Sequence, residues 1–312
     1  MTSVSPPLIS VCVCTYHRPH LLEKLLVSLA TQGTDDQFEI EIVVVDNDRS
    51  GSAREVATLT QERFPQLRLT YAIEPAQGIS HARNRTVALA AGEYLAFIDD
   101  DEYAEPDWLL ALFETLRQHA ADGAFGPVLP LFPRDSPTWA RKSGQFNRVR
   151  YATGTRITSG DGKTGNALID TRWARRRKPE PFDPSLARSG GEDHDFFVWM
   201  EASGARLFWC DTALVYEEVP PARLTITSVL ERRFRASVTY WRSTNEHRPT
   251  WEIGLSALQG ALGGTLFFLM GFAALPLGLH LTLRMWVKGI NGYGRMAALS
   301  RIHLVGYGEK HG

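Results

Sequence analysis

The 312-residue chain has 34 basic and 35 acidic residues, and this even balance excludes the overall basic charge that is typical of a nucleic-acid-binding protein. Its 44% hydrophobic and 22% charged content is that of a globular protein with one large domain, or one domain and an appendage. Three cysteines are too few for a disulfide framework, so Cys12 and Cys14 are expected to be buried core thiols. The N-terminus has no basic region and only a short apolar run, so we do not expect a secretory signal.

The first half of the chain alternates apolar runs with amphipathic stretches. Strands are predicted at 8–15, 39–48, 67–73 and 93–99, with helices between them at 18–32, 52–64 and 78–91. This alternation predicts an α/β fold with a mostly parallel sheet flanked by helices, in which ligands bind beyond the carboxyl ends of the strands. Thr15, Asp46 and Asp99–Asp101 come at three of those ends.

The turn after the first strand, "CTYHRP", contains no glycine, so it is not the G-x-G-x-x-G turn that a dinucleotide-binding protein has at this position, and a P-loop is missing too. Because these backbone cradles for phosphate are missing, a metal ion is the predicted means of holding a nucleotide. Asp46 is a candidate acceptor of hydrogen bonds from a ribose or a base. Its alternative role is an Asx turn or a helix cap within "DNDRSGS".

Four carboxylates, Asp99, Asp100, Asp101 and Glu102, follow the apolar strand that ends at Ile98, and no basic residue is adjacent in the sequence. Like charges packed this closely repel each other, which calls for a cation nearby. Carboxylates at i and i+2 suit Mg²⁺ or Mn²⁺, which keep phosphates and waters in their coordination shell. The alternative is an acidic cap for the helix that follows.

The stretch "SGGEDHDFFVWM" places Glu192 and Asp193 at the start of an apolar helix. A helix N-terminus stabilises negative charge, which a general base carries. The alternative is that both residues only cap the helix. Upstream, the run "RWARRRKPEP" at 172–181 is strongly basic, and it is either a solvated loop or a contact for an anionic lipid headgroup or a lipid-linked pyrophosphate. Trp173 at its start is a candidate for stacking on a sugar, with core packing as the alternative.

No Lys, Arg, Asp or Glu occurs between Ile253 and Leu283. This segment is too short for two membrane spans, and "LPLG" at 275–278 is expected to break a helix. Basic residues on both flanks predict a segment that enters the membrane and returns to the cytoplasmic side. Glycines are expected to support close helix packing at Gly260, Gly263, Gly264 and Gly271. A buried soluble hairpin or a dimer interface is the alternative.

Four motifs resemble those of family 2 glycosyltransferases of GT-A fold, within the bacterial exopolysaccharide, succinoglycan-type glucosyltransferase group. They are "ISVCVCTYHRP", "VVVDND", "GISHARNRTVALAAGEYLAFIDDDE" and "GGEDHDFFVWM", in this order. The resemblance runs from about residue 8 to about residue 240. It implies a GT-A catalytic domain at 1–250, with a nucleotide-sugar-binding half at 1–130 and an acceptor half at 131–250, and a membrane-associated helical tail at 251–312.

The resemblance also assigns residue roles. Asp99 and Asp101 match the D-x-D aspartates that hold ribose and metal, so it implies Mn²⁺ or Mg²⁺ as the cofactor. The residues that match nucleotide-sugar-binding positions are Thr15, Asp46, Arg83, Asp99, Asp100 and Asp101. Glu192 and Asp193 match the acid pair that carries the catalytic base, with Asp193 as the base itself.

On the acceptor side, Gly165 and Asn166 match a recurring element of the group, and Trp173 and Arg235 are placed with them. The Q-x-x-R-W motif of processive members is here Arg232-x-x-Arg235 without the Gln and the Trp, which indicates one sugar added per encounter.

The resemblance thus predicts an inverting, metal-dependent transferase at the cytoplasmic face of the inner membrane. Its donor would be a nucleotide-diphosphate sugar, a uridine diphosphate sugar by resemblance, and its acceptor a lipid-linked saccharide in exopolysaccharide or lipopolysaccharide biosynthesis. Two alternatives stay open. The first is a sugar-phosphate nucleotidyltransferase, which shares the α/β alternation but needs a glycine-rich loop after the first strand, where this chain has "CTYHRP". The second is a catalytically degenerate scaffold of an assembly complex. Loss of the acidic triplet or of the Glu192–Asp193 pair would favour it, and both are intact here.

Overall fold

The computed structural model describes residues 5–245 and 249–299 and divides them into two units. The first unit comprises residues up to 129 together with 148–217, and the second comprises 130–147 together with the described residues from 218 onward. Strands and helices alternate through the first unit, while the second is mainly helical.

The strands are β1 Leu8–Thr15, β2 Glu39–Asp46, β3 Arg68–Ile73, β4 Tyr94–Phe97, β5 Glu102–Ala104, β6 Gly123–Phe125, β7 Val128–Leu131, β8 Ala167–Asp170, β9 Leu207–Trp209 and β10 Val215–Glu218. The helices are α1 Pro19–Leu29, α2 Arg54–Arg63, α3 Ile79–Leu89, α4 Trp108–Gln118, α5 Thr138–Ser143, α6 Thr171–Arg176, α7 Glu192–Ala202, α8 Ile226–Asn245, α9 Thr250–Ala273 and α10 Leu279–Ala297.

Within the described residues, the main sheet has seven strands in the order β3-β2-β1-β4-β8-β6-β9. β1, β2, β3 and β4 run parallel, and β8 alone runs antiparallel to its neighbours β4 and β6. This confirms the predicted α/β fold with a mostly parallel sheet. In the register of β1 and β2, Thr15 lies opposite Asp46, so the polar residues at the strand ends come together at one edge. A second sheet has the order β5-β10-β7, with β5 and β10 antiparallel.

Alternate residues of β1 pack on opposite faces of the sheet, as the two-residue period of a strand requires. Ile9, Val11 and Val13 lie under α1 and α4, and Cys12 lies on the other face. On α1, Leu22 and Leu26 are fully buried, which contributes about 1.5–3 kcal/mol for each side chain before the entropy of ordering is counted. Burial also raises the pKa of the Cys12 thiol to about 12, so this cysteine is an inert core thiol as predicted.

In the second unit, α9 and α10 form a helical hairpin. α9 ends at Ala273, a 3-10 turn follows at Leu275–Leu277, and Gly278 has a φ of 119°, which favours glycine. The predicted break at 275–278 is therefore present. Among the described residues, α9 is the one helix long and apolar enough to cross a membrane.

Close helix packing holds this hairpin together. A Cβ on Gly260 would meet the backbone of Gly292, one on Gly264 would meet the backbone of Gly289, and one on Gly271 would meet the Trp286 ring. Three of the four predicted packing glycines therefore have that role, whereas a Cβ on Gly263 would meet nothing within 4 Å.

The division into units differs from the boundary predicted at residue 250. α8 belongs with α9 and α10 because it packs against α10, where Ser237 Oγ donates to the Asn291 carbonyl at 3.0 Å. Residues 130–147 also belong to this unit, since Trp139 and Phe146 pack against Val229 and Leu283. Local composition marked the apolar run correctly but gave no sign of these long-range contacts.

Candidate active site

The acidic loop after β4 lies at the carboxyl edge of the main sheet. Thr15, the last residue of β1, donates its hydroxyl hydrogen bond to Asp100 Oδ2 at 2.8 Å. Asp100 is 5% exposed, and burial is the main reason that its pKa rises to about 7, against the opposing effect of Arg18. The middle carboxylate of the D-x-D run is therefore turned into the protein and tied to the neighbouring strand.

Arg18 is part of this cluster and was not identified from the sequence. Its Nη1 lies 3.2 Å from Asp100 Oδ1 and 3.0 Å from Asp101 Oδ2. Arg18 directly precedes α1, where the "HRP" turn leaves the end of β1. That position was the available signal, because a cation three residues beyond Thr15 is delivered to the same edge of the sheet as the carboxylates.

Glu102 has a structural role. Its side chain is buried, its Oε2 accepts a hydrogen bond from the Asp99 backbone N–H at 3.0 Å, and burial raises its pKa well above the usual value. A Cβ on Gly165 would lie 2.7 Å from Glu102 Oε1. Gly165 therefore leaves room for this carboxyl group.

Arg83 links the acidic loop to the acid pair. It lies on the buried face of α3, its Nη1 pairs with Glu192 Oε1, and its Nη2 lies 3.3 Å from Asp99 Oδ1. Glu192 is 3% exposed, and its Oε2 has no hydrogen-bond partner among the described residues. Two motifs more than 90 residues apart in the sequence, at Asp99 and Glu192, thus share one guanidinium group.

Asp193 is oriented differently from Glu192. It lies in the first turn of α7 and is partly exposed, and its Oδ1 accepts a hydrogen bond from the His194 backbone N–H at 2.7 Å. Gly190 and Gly191 have φ values of 74° and 94°, so the turn before α7 uses the left-handed conformations that glycine adopts easily. Of the two acids, Asp193 is the accessible one.

Asp46 is 0% exposed, and its carboxylate accepts hydrogen bonds within the loop between β2 and α2. It accepts hydrogen bonds from Asp48 N at 2.9 Å, from Ala53 N at 2.8 Å and from Tyr71 Oη at 2.9 Å. This is the Asx turn and helix cap that stood as the alternative for this residue. Its contact with a nucleotide stays a prediction, and the geometry favours the turn.

The acceptor-side residues do not form one group. Asn166 is buried, with its amide donating to Pro127 O and Ala213 O and its oxygen accepting from Trp108 Nε1, so it fastens α4 to neighbouring loops. Trp173 lies apart from Asn166, and its role on the acceptor side stays a prediction. β8 runs antiparallel to β4 and separates the two residues, so Trp173 follows the opposite edge of the sheet, where its Nε1 donates to Asp122.

Arg235 lies on α8 in the second unit with an exposed side chain, and its acceptor role stays a prediction.

The acidic loop fits a divalent ion held jointly with a diphosphate. Within 5–245 and 249–299, no three His, Cys, Asp or Glu side chains form a protein cage for a metal. Mg²⁺ and Mn²⁺ do not need one, because one or two carboxylates suffice when phosphate oxygens and waters complete the shell. The Asp99 and Asp101 side chains are 46% and 22% exposed, while Asp100 and Glu102 point inward. The available donors are thus two carboxylates of the kind these hard cations select.

This fold, with an acidic loop at the carboxyl edge of a mostly parallel sheet and an acid pair opening a later helix, defines a GT-A glycosyltransferase. Residues 10–179 match the family model of glycosyl transferase family 2, and the chain belongs to that family. It is 37% identical over 262 residues to the succinoglycan biosynthesis protein ExoM of Rhizobium meliloti (strain 1021), covering 82% of each chain.

Other similarities are more distant. The chain is 31% identical over 117 residues, 38% of its length and 36% of the relative's, to the GalNAc(5)-diNAcBac-PP-undecaprenol beta-1,3-glucosyltransferase of Campylobacter jejuni. Two solved structures share the fold. TarS 1-349 of S. aureus in complex with UDP has a TM-score of 0.56 and 19% identity, with 93% of this chain and 90% of that chain covered. The mannosyltransferase PcManGT from Pyrobaculum calidifontis, in complex with GDP-Man and Mn²⁺, has a TM-score of 0.63 and 18% identity, covering 95% and 88%.

Proposed function

We propose that this glycosyltransferase moves a single sugar, with inversion, from a uridine diphosphate sugar to a lipid-linked saccharide, and that it depends on a divalent metal ion. The setting is exopolysaccharide or lipopolysaccharide assembly at the cytoplasmic face of the inner membrane, with residues 253–283 as the anchor. The observation that carries the proposal is the Arg83 bridge, because it brings the acidic loop at Asp99 and the acid pair at Glu192 into one site.

The donor side of the site is built from charges of both signs. Asp101 and Asp99 would hold Mn²⁺ or Mg²⁺, and the ion would stabilise negative charge on the departing diphosphate. Arg18 and Arg83 lie beside these carboxylates and can donate charge-assisted hydrogen bonds to phosphate oxygens. Thr15 fixes Asp100 and thereby the path of the loop.

On the acceptor side, Asp193 is the general base. Its partly exposed carboxylate at the start of α7 takes the proton from the acceptor hydroxyl while that oxygen attacks the anomeric carbon on the face opposite the diphosphate. A positioned base of this kind contributes about 10²–10⁴ in rate. Glu192 is held by Arg83 in the protein interior and orients the guanidinium group.

Relatives support the choice of donor and acceptor. Solved structures of similar fold contain UDP, UDP-GlcNAc, or GDP-Man with Mn²⁺. One relative is named for an undecaprenol-diphosphate acceptor and another for succinoglycan biosynthesis. These are properties of those proteins, and they motivate the donor and acceptor proposed for this chain.

A donor screen tests the proposal. The purified full-length chain is incubated with a panel of sugar nucleotides and with Mn²⁺, Mg²⁺ or a chelator, and nucleotide release is measured. We expect one uridine diphosphate sugar to be hydrolysed slowly in the presence of metal, and faster when a polyprenyl-diphosphate-linked saccharide is added. Release that is equally fast with the chelator would contradict metal dependence, and release from guanosine diphosphate sugars alone would contradict the donor.

A further inference from the structure

The helices of the second unit enclose a cleft of about 510 Å³ that the proposed reaction does not use. α9 forms one wall with Gly260, Gly263 and Gly264, and the lack of side chains there leaves the cleft open. The other walls come from α8 and α10, which contribute Trp241, Lys288 and Arg295 among others. Such a volume admits a group well beyond the size of a water molecule.

Among the residues that the structure describes, the lining of this cleft contains two cations and no carboxylate. The Arg295 guanidinium lies 4.5 Å above the Trp241 ring, and its Nε is buried without a hydrogen-bond partner among the described residues. Lys288 Nζ lies 5.3 Å from the Phe267 ring. No described carboxylate lies within ion-pair distance of either cation, whereas Arg83 in the first unit has two. A buried, unpaired guanidinium donor is costly unless an anion satisfies it.

An exposed apolar stripe runs along α9 next to the cleft. Leu255, Leu258, Leu262, Leu266 and Leu269 recur at three- and four-residue spacing and are each at least half exposed. Gly263 and Phe267, which line the cleft, follow Leu262 and Leu266 directly and so occupy the adjacent face of the helix. The surface therefore offers cations for an anionic group and, beside them, an apolar track for hydrocarbon.

The charged residues of α10 determine whether the hairpin can cross a bilayer or must lie at its interface. It packs along α9 through Gly292 and Gly289, so its Lys288 and Arg295 lie beside the middle of the apolar helix. A hairpin that crossed the membrane would carry both charges into hydrocarbon, at a cost that membrane helices generally avoid. A hairpin lying in the interface keeps the leucine stripe in the acyl region and both cations at the level of the lipid phosphates.

We infer that the cleft between α8, α9 and α10 binds the phosphate of an anionic membrane phospholipid, whose acyl chains lie along the leucine stripe of α9. Arg295 and Lys288 donate to the phosphate oxygens, and the Trp241 ring holds the guanidinium group in place from its other face. This site stands independently of glycosyl transfer, since every residue in it belongs to the second unit.

Vesicle binding tests the site without any measurement of activity. The full-length chain is floated with phosphatidylcholine vesicles that contain or lack phosphatidylglycerol, and the bound fraction is measured. We expect Arg295→Gln to weaken binding to the anionic vesicles by at least about tenfold. Lys142→Gln removes an exposed charge of the same unit outside the cleft and is expected to cost about fivefold at most, the ordinary contribution of one basic residue near an anionic surface.

A second pair of variants changes shape and leaves charge unaltered. Gly263→Leu fills the cleft and should abolish the preference for phosphatidylglycerol, although it adds apolar surface. Gly254→Leu adds the same side chain to α9 where a Cβ meets nothing within 4 Å and outside the cleft lining, and should keep the preference. Circular dichroism identifies any variant that fails to fold.

Three results would overturn the inference. They are an unchanged lipid preference in Gly263→Leu, equal losses in Arg295→Gln and Lys142→Gln, and stronger binding to neutral vesicles doped with polyprenyl diphosphate than to phosphatidylglycerol at the same mole fraction. The last would make the occupant the proposed acceptor lipid instead of a bulk phospholipid.

Discussion

Two guanidinium groups balance the carboxylates that follow β4. Arg18 spans Asp100 and Asp101, and Arg83 reaches Asp99 from the other side. Repulsion within the acidic loop is therefore relieved by the chain itself, so the loop can keep its conformation before a metal or nucleotide binds. Neither pairing was visible in the sequence, because each arginine lies at least 16 residues from its partners.

Asp101→Ala should remove the metal-dependent part of nucleotide affinity. Asp101 supplies one of the two accessible carboxylates, so we expect the affinity gained by adding Mn²⁺ to fall at least about tenfold, the lower end of what even outer-shell partners of a metal cost. Calorimetry with uridine diphosphate, with and without Mn²⁺, measures this gain. Asp107→Ala, an exposed carboxylate six residues further on, is the control, and an equal gain in both variants would remove Asp101 from the metal site.

Asp193→Asn should keep donor affinity and lose transfer by about 10²–10⁴-fold, because the amide cannot accept the acceptor's proton. Rates of sugar transfer and calorimetry with uridine diphosphate separate the two effects. Asp195→Asn makes the same change two residues along α7, at an acid that pairs with Arg177, and should stay close to the parent rate. Near-parental turnover by Asp193→Asn would assign the base elsewhere, with Glu192 next in line.

Arg83→Met should destabilise the protein by about 3–5 kcal/mol, since it leaves the buried Glu192 without its partner. Adding Glu192→Gln to the same chain should recover part of that loss, because the second change removes the stranded charge. Urea denaturation followed by tryptophan fluorescence provides both midpoints. Arg68→Met, at the exposed pair with Glu39, is the control and should barely shift the midpoint. A double variant no more stable than Arg83→Met would show that the pair is not coupled.

At the scale of whole elements, the parallel strands were the most predictable part of the fold. β1 and β2 are rich in Ile and Val and largely buried, and their predicted bounds agree with the structure to within two residues. β8 was harder to predict, because it is only four residues long and nothing in the local sequence indicates its direction. Its antiparallel course leaves Asn166 near the carboxyl edge of the sheet and takes Trp173 to the opposite edge.

In the α9–α10 hairpin, we expect an alanine to be tolerated at Gly263 and to be destabilising at Gly292. Gly292→Ala pushes a Cβ into the Gly260 backbone and should cost about 1–3 kcal/mol as overpacking. Gly263→Ala meets nothing within 4 Å and should be neutral, or gain about 0.5–1 kcal/mol from better helix propensity. Thermal unfolding of the two variants checks the difference. Equal stabilities would mean that the two helices do not approach this closely.

At the scale of the whole molecule, the boundaries between the two units fall at positions where the local sequence gives no sign of a domain boundary. Residues 130–147 are separated by 70 residues from the rest of their unit, which resumes at Glu218, and nothing in their composition indicates that the two parts pack together. The apolar segment of α9 was evident, because charged residues are missing from 253–283. Membership of a unit depends on contacts between distant parts of the chain, such as Arg284 donating to the Ser143 carbonyl at 3.0 Å, and a single sequence does not reveal them.

Topology in cells should place both ends of the chain in the cytoplasm. Lys288 and Arg295 lie beside α9 and oppose its crossing, so a reporter fused after His311 should give a cytoplasmic signal. The same reporter at the N-terminus provides the cytoplasmic reference. A periplasmic signal from the C-terminal fusion would establish one crossing and exclude an interfacial hairpin.

The interrupted second unit also has a consequence for synthesis on the ribosome. Phe132, Trp139 and Phe146 are translated roughly 70–90 residues before their partners Val219 and Leu224, which at 5–20 residues per second is a delay of roughly 4–18 s. During that interval these aromatic side chains have only one another and Ala140 from their own unit to pack against. Nascent chains stalled at residue 217 should therefore be cut by protease within 130–147 and recruit a chaperone there, and completed chains should resist both.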